Sequence, residues 1–482
     1  MKLDEIDKAI LAHFSPGFGG TEIPQWLFPW LENGLGGITL FSSNCPSLEA
    51  TAQLVDEIKA IAPNIIISID EEGGDVTRLF VPEGSPFPTP ALLGRCNNSE
   101  LTQNSYFELG KILRAVGVDL NLAPVADVSV EIENPIVGVR SFSSDFETAS
   151  DHVVSAIGGL RKAGVASCIK HFPGHGGVVE DSHHDLPKLL GNLDELESTH
   201  LKPFKDAIAA GVEAVMTGHI VVPVLDEKAP ASCSAKLTKD YLRETLKFEG
   251  LVVTDALDMG ALGGPKKIHQ SALRAMSAGA DLLCFSGLFD QSSFVENSLI
   301  NIKEFVIKDK ILQESVLRNA AKLKSWRSPQ PQGSSARNLP AVESFISGLH
   351  IQGEVTLKHE QVQLIELSAD PTIAAGFVGW GLRRALTLSG KKVKLESSDA
   401  DLSASEEKQL VVAFRDAFRD AKLLATLRKI EQAQPAAIFV DMGWPTVAFT
   451  PKNLIRTFGS SALASDLAVR VMTRNNQLIN SL

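Results

Sequence analysis

Three things are scarce in this sequence of 482 residues, and each scarcity excludes a class of protein. Basic charge is not in excess: 46 Lys and Arg stand against 58 Asp and Glu, a net charge of -12. No general attraction to phosphate backbones or anionic lipid is available, so neither nucleic acid nor a membrane surface is expected as a partner. Cysteine is rare: Cys45, Cys96, Cys168, Cys233 and Cys284 form an odd, scattered set with no C-x-x-C pair. That fits reduced thiols rather than a disulfide framework, and Cys168 and Cys284, inside apolar runs, read as small core residues. No apolar run reaches the length of a membrane span, and the opening Met1-Lys-Leu-Asp-Glu-Ile-Asp7 has acids where a secretory leader has a basic region. A cytoplasmic protein is expected. With 44% hydrophobic and 22% charged residues, the chain belongs among ordinary globular proteins rather than disordered or fibrous ones.

From the start to residue 326, short β-branched apolar runs alternate with amphipathic stretches of helical length, which predicts βα units and a parallel sheet. The strand candidates are 37–41, 64–70, 118–122, 165–170, 214–217, 251–255 and 281–285. A helix opens at Ser47, a good N-cap, and others cover about 100–116, 148–163, 200–210, 238–247 and 268–279. Gly117, Gly164, Gly211 and Gly279 stand where left-handed C-caps belong. Because no glycine-rich dinucleotide fingerprint follows the first strand, the pattern favours a (β/α)8-type TIM-like barrel over an open doubly wound sheet.

Residues 327–340, rich in Pro, Gly, Ser and Gln, have linker chemistry. Over 341–482 strands (363–367, 392–395, 410–414, 437–440) again alternate with helices (about 373–386, 420–434, 461–473), predicting a smaller α/β/α sandwich domain.

Asp70, Lys170-His171, His219 and Asp255 each sit at or just past the end of a predicted strand. In a barrel those ends converge on one mouth, where catalytic groups collect. Four of eleven histidines fall in the loop from Lys170 to Pro187. As a zinc site, His171, His175, His183 and Asp181 are suitable ligand types. Zinc motifs, however, use helical i, i+4 spacing or cysteine pairs, and Pro173-Gly174 prevents a helix, so no metal is expected. The same loop reads as acid/base chemistry if Asp181 orients His183. Asp255 could point into the mouth or cap the next helix, and Asp258 fits a surface or capping role better.

The segments Ile69-Asp-Glu-Glu-Gly-Gly-Asp-Val-Thr-Arg78, Asn121-Leu-Ala-Pro-Val-Ala-Asp127, Val139-Arg-Ser-Phe142, Lys170-His-Phe-Pro-Gly-His-Gly176, Asp181-Ser-His183, Met216-Thr-Gly-His219 and Thr254-Asp-Ala-Leu-Asp-Met259 occur in one order. Over roughly residues 10–325 the chain resembles the family 3 glycoside hydrolases, specifically their β-N-acetylglucosaminidase branch that trims peptidoglycan fragments. The resemblance implies that Asp255 is the nucleophile forming a covalent glycosyl-enzyme, that His183 supported by Asp181 is the acid/base, and that Asp70, Arg78, Arg140, Lys170 and His171 bind sugar. It implies a retaining exo-β-N-acetylglucosaminidase acting on muropeptides, with no metal or organic cofactor.

Two readings of the same barrel stay open beside it, a β-glucosidase and a non-catalytic sugar-binding protein. A third follows from the histidine: once deprotonated it is neutral and would not repel phosphate, which leaves a phosphorylase open. Glu71 stands where the branch commonly has glutamine and Asp75 where it commonly has arginine, and the stretch between Gly176 and Asp181 lacks the usual polar residues. These positions are expected to flank the site and to bear on the aglycone. Gly174, Gly176 and Gly177 read as hinges if the loop must close. The second domain resembles the α/β/α domain of two-domain members through Phe439–Pro445 and Phe458–Ser461. A supporting role at the interface, or in a homodimer, is expected of it, with Trp444 in the core.

Overall fold

Eight short strands, β1 (Phe14–Pro16), β2 (Gly37–Leu40), β3 (Ile66–Ile69), β4 (Leu120–Asn121), β5 (Ala166–Phe172), β6 (Ala214–Thr217), β7 (Leu251–Thr254) and β8 (Leu283–Phe285), form a ring in the computed structural model. The structure describes residues 3–131, 134, 136–178, 186–286, 294–332, 338–369, 374–376, 378–397, 408–445 and 447–473. Strands β2 to β7 pair in sequence order, all parallel, and β8 pairs with β1. The ring closes through a bridge between Val253 and Leu282 and a 3.1 Å bond between Ser15 Oγ and Thr39 Oγ1. This is the TIM-like barrel that the alternating pattern predicts.

Local chemistry sets the helices around it. The helix Leu48–Ile61 begins where the Ser47 side chain accepts from Ala50 N–H, and Thr51, Leu54, Val55 and Ile58 make its buried face. Asn98 and Asp145 cap the helices Ser99–Ala115 and Phe146–Ala163 in the same manner, each cap contributing about 1 kcal/mol. The chain turns out of the helix Phe146–Ala163 at Gly164, φ +83°, where any side chain would be strained and a Cβ would stand 2.9 Å from Pro331 N. The predicted helix 238–247 is wound as a π-helix, Lys236–Thr245, and Leu246 N–H bonds back five residues to Tyr241 O.

Side chains alternate across each strand, and this alternation aims the site. Ala166 and Cys168 of β5, Ala214 and Met216 of β6, and Leu251 and Val253 of β7 lie in the barrel interior with Ile66, Leu120 and Cys284. Ile169, Val215 and Val252 face the surrounding helices. Continuing the same parity past the apolar layer puts Lys170, Asp70 and Asp255 on the inward side at the carboxyl ends of their strands.

The second sheet comprises β9 (His350–Gln352), β10 (Gln361–Ser368), β11 (Lys392–Glu396), β12 (Lys408–Arg415), β13 (Ile438–Asp441) and β14 (Leu454–Arg456), in spatial order β11-β10-β12-β13-β14-β9. Every pair is parallel except β14 with β9. One continuous apolar cluster includes barrel residues such as Leu92 and Phe142 and second-sheet residues such as Val411, Val440 and Ile455. Between the sheets the linker lies along the barrel: Ser328 Oγ donates to Asp119 O (3.1 Å), Gln332 N to Lys162 O (2.7 Å) and Asn338 N to Glu108 Oε2 (2.9 Å). Among the described residues of the expected helix 373–386, helix begins only at Leu382, in Leu382–Leu388, after Gly376 and Gly381 adopt φ +64° and +79°.

Candidate active site

A cavity of 580 Å³ opens at the carboxyl ends of the barrel strands, and Asp70, Arg78, Arg140, Lys170, His171 and Asp255 all line it. The structure thus brings together six of the eight residues singled out in the sequence. The other two, Asp181 and His183, lie outside the described residues.

Lys170 lies at the base, with 2% of its side chain exposed, and its Nζ touches two carboxylates, Asp70 Oδ1 and Glu72 Oε1, each at 2.7 Å. Burial disfavours its charge, yet the two anions outweigh that and raise its pKa. Burial also pushes the Asp70 carboxyl up, but Lys170 and Arg78 hold it well below the carboxylate range. Asp70 is therefore a fixed anion, with oxygens suited to accept from vicinal sugar hydroxyls. Glu72 grips Arg140 in a two-pronged pair, Oε2 to Nε at 2.9 Å and Oε1 to Nη2 at 2.8 Å. Burial acts against its ionisation too, and Arg140 with Lys170 still lowers its pKa to about 2.

On the other side of the cleft His171 donates from Nδ1 to Asp127 Oδ2 at 2.6 Å, which leaves Nε2 for the cavity. Asp127 Oδ1 accepts from the backbone N–H of His171 (3.1 Å) and of His175 (2.6 Å), so one buried carboxylate holds a cavity histidine and the backbone that follows β5. Burial opposes the Asp127 charge, and His171 leads the groups that bring its pKa down to about 2. Burial lowers the His175 pKa to about 4, so that imidazole is neutral at pH 7. Asp255 follows β7: its N–H bonds Thr217 O at 3.0 Å and its Oδ1 accepts from Ala256 N at 2.8 Å. His219 bonds Ser232 Oγ (2.8 Å) and Ala256 O (2.9 Å), fixing the backbone beside Asp255. Asp258, expected in a surface or capping role, instead accepts from Ser286 N at 2.8 Å and from Ser286 Oγ, tying this turn to the end of β8.

Glu72 and Asp127 are the functional residues that strand-end reasoning missed. Both stand inside the resembling segments, and the available signal was a surplus of carboxylates beside cations that cannot stay unpaired when buried. Gly176, read as a hinge, has a different basis: a Cβ there would lie 1.9 Å from Val128 O. Glu71 and Asp75, expected to flank the site, do not line the cavity. Glu71 Oε2 accepts from the N–H groups of Arg78 (2.9 Å) and Leu79 (3.1 Å), and burial raises its pKa to about 7. Asp75 is buried against the second domain, paired with Arg415 at 2.6 Å. Trp444 is half-buried, packed against the main apolar cluster with its side chain beside Gly138. Among the described residues no cluster of three or more His, Cys, Asp or Glu is placed to hold a metal ion.

The sequence model of the glycosyl hydrolase family 3 N terminal domain matches residues 25–325. A β-hexosaminidase from Methylobacillus flagellatus is 31% identical over 344 residues, 70% of this chain and 94% of that protein. Among solved structures, a glycoside hydrolase family 3 β-N-acetylglucosaminidase from Paenibacillus sp. str. FPU-7 superposes with a TM-score of 0.83 at 27% identity, covering 98% of this chain and 97% of its own. NagZ from Neisseria gonorrhoeae, solved in complex with N-trifluoroacetyl-D-glucosamine, matches with a TM-score of 0.54 at 29% identity over 65% of this chain and 98% of its own. With the matched segment spanning all eight strands but β1, and with Asp70, Arg78, Arg140, Lys170, His171 and Asp255 inside it, the chain belongs to glycoside hydrolase family 3 and is a glycoside hydrolase.

Proposed function

We propose that this enzyme is a retaining exo-β-N-acetylglucosaminidase that removes terminal β-linked N-acetylglucosamine from peptidoglycan fragments in the cytoplasm. The observation that carries the reading is the position of Asp255 in the same cavity as the Asp70, Lys170 and Arg78 cluster: one carboxylate accompanies a ready-made set of sugar-hydroxyl partners. The β-N-acetylglucosaminidase and hexosaminidase relatives support the acetamido sugar. Five unpaired thiols support a reducing compartment, and among the described residues no helix is long and apolar enough to cross a membrane.

In the proposed reaction the Asp255 carboxylate attacks the anomeric carbon while the bond to the leaving oxygen breaks, and His183, oriented by Asp181, gives that oxygen its proton. Water then loses a proton to His183 and displaces Asp255, so two inversions give net retention. Asp70, Arg78, Arg140, Lys170 and His171 hold the sugar throughout. Buried or partly buried and already ion-paired, they need little reorganisation as charge develops at the ring. The test compares turnover of p-nitrophenyl N-acetyl-β-glucosaminide with that of the matching glucoside, with and without phosphate. The reading expects a strong preference for the acetamido sugar and a rate indifferent to phosphate. Equal turnover of both sugars, or a sugar 1-phosphate formed only with phosphate, would overturn it.

A further inference from the structure

The loop that carries Arg78 is held from the other domain through Asp75, Arg78, Val81 and Thr89. Asp75 Oδ2 pairs with Arg415 Nη2 at 2.6 Å, and Asp75 Oδ1 accepts from Ser460 N at 2.7 Å. Arg78 Nη1 donates to Ala374 O at 3.0 Å, while its Nη2 reaches Asp70 Oδ2 at 3.4 Å. Val81 O accepts from Gly379 N at 3.1 Å, and Thr89 Oγ1 donates to Phe458 O. The packing at this seam is close: a Cβ on either Gly74 or Gly459 would come within 2.1 Å of Thr89 Cγ2.

Arg415 is the hub. It ends β12 with 9% of its side chain exposed, faces an Asp75 that is 2% exposed, donates from Nη1 to Ser460 Oγ at 2.8 Å and pairs through Nε with Asp416 at 3.3 Å. A lone carboxylate buried at Asp75 would be costly, so the presence of Arg415 dictates where this loop can lie. Three residues on, Arg78 emerges into the cavity with its guanidinium between Asp70 and a second-domain carbonyl. Ala374, Ala375 and Gly376 complete that wall.

We propose that Arg415 is a positioning residue for sugar binding: through Asp75 it fixes the barrel loop that presents Arg78 to the cavity, so the second domain is part of the sugar site. This rests on the reading that Arg78 binds the sugar. Arg78 then contributes to the bound state and the transition state alike, and loosening it raises KM with little change in kcat.

The experiment measures kcat, KM and Tm for p-nitrophenyl N-acetyl-β-glucosaminide hydrolysis by the full chain, by Arg415→Lys and by Arg415→Met combined with Asp75→Asn. The double variant leaves no unpaired buried charge and so keeps the fold accessible. The expected result is a rise in KM of about tenfold in the double variant, the loss of one well-placed charged hydrogen bond, a smaller rise in Arg415→Lys, and kcat within about twofold. A lowered Tm with KM unchanged in both variants overturns the inference and leaves the proposed function standing. Failure of the unsubstituted chain to turn over the substrate overturns the proposed function and this inference with it.

Discussion

Glu72→Gln is the substitution that most directly perturbs the electrostatic base of the site. The change keeps the side chain's shape and removes one buried negative charge that faces both Lys170 Nζ at 2.7 Å and the Arg140 fork at 2.8 and 2.9 Å. The Glu72 pKa is lowered from 4.5 to about 2 in the folded protein because its two cationic partners outweigh burial. At about 1.4 kcal/mol per pH unit the difference corresponds to roughly 3 kcal/mol, at the lower edge of the range for breaking a buried ion pair. Unfolding entropy of about 2 cal/mol/K per residue gives about 1 kcal/mol/K for the whole chain, so Tm falls by about 3 °C if it unfolds together. The sign with pH follows from the lowered pKa: this stabilisation is complete above pH 4.5 and is lost as pH falls toward about 2. The variant therefore loses Tm at pH 7 and shows a shallower decline between pH 4.5 and 3. With Arg140 and Lys170 no longer neutralised together, KM for the acetamido sugar rises about tenfold. Calorimetric scans across pH 3 to 8, paired with KM at pH 7, make the measurement. A Tm within half a degree of the unsubstituted chain at pH 7, taken with an unchanged KM, would refute the reasoning.

Asp127→Asn removes the charge that fixes His171 and the backbone of His175, so kcat and kcat/KM fall by about 10²-fold while the far-ultraviolet spectrum is kept; full activity in steady-state assays would contradict the role given to Asp127. Glu71 has the opposite titration: burial raises its pKa from 4.5 to about 7, so folding stability declines as pH rises between those values and is level above them. Glu71→Gln removes that contribution and stabilises the chain at pH 8 by about 3 kcal/mol, seen as a smaller fall in Tm from pH 5 to 8, with the fall due to the similarly raised Asp441 remaining; a lower Tm at pH 8 counts against the raised Glu71 pKa. Asp255→Asn leaves the Tm within a few degrees and lowers kcat by at least about 10³-fold, whereas a drop below tenfold in single-turnover assays excludes a nucleophilic role.

The barrel was legible because its strands are β-branched and its helices carry their own stops: Gly117, Gly164, Gly211 and Gly279 all adopt positive φ, from +77° to +103°. Strand-end position carried the site equally well, since the carboxyl ends of barrel strands converge on one mouth. Short elements were hidden. The strand β1 is three residues with a proline in it, and β14 pairs antiparallel with β9 at the sheet's edge, so neither contains enough periodic residues to stand out. Glu72 and Asp127 could not be recognised as partners of Arg140 and His171 because each pair is separated by 68 and 44 residues, respectively, and is joined only by tertiary contact. Asp75 shows the same limit across domains, its partner Arg415 lying beyond the linker on a different sheet.

The central claim is a covalent route through Asp255, and the configuration of the first-formed product tests it most directly. Proton NMR recorded within the first minutes of hydrolysis of p-nitrophenyl N-acetyl-β-glucosaminide distinguishes the anomers before they equilibrate. The account predicts that β-N-acetylglucosamine appears first and that the α-anomer grows in later by mutarotation. Initial release of the α-anomer would mean a single inverting displacement by water, and Asp255 could not then be the nucleophile.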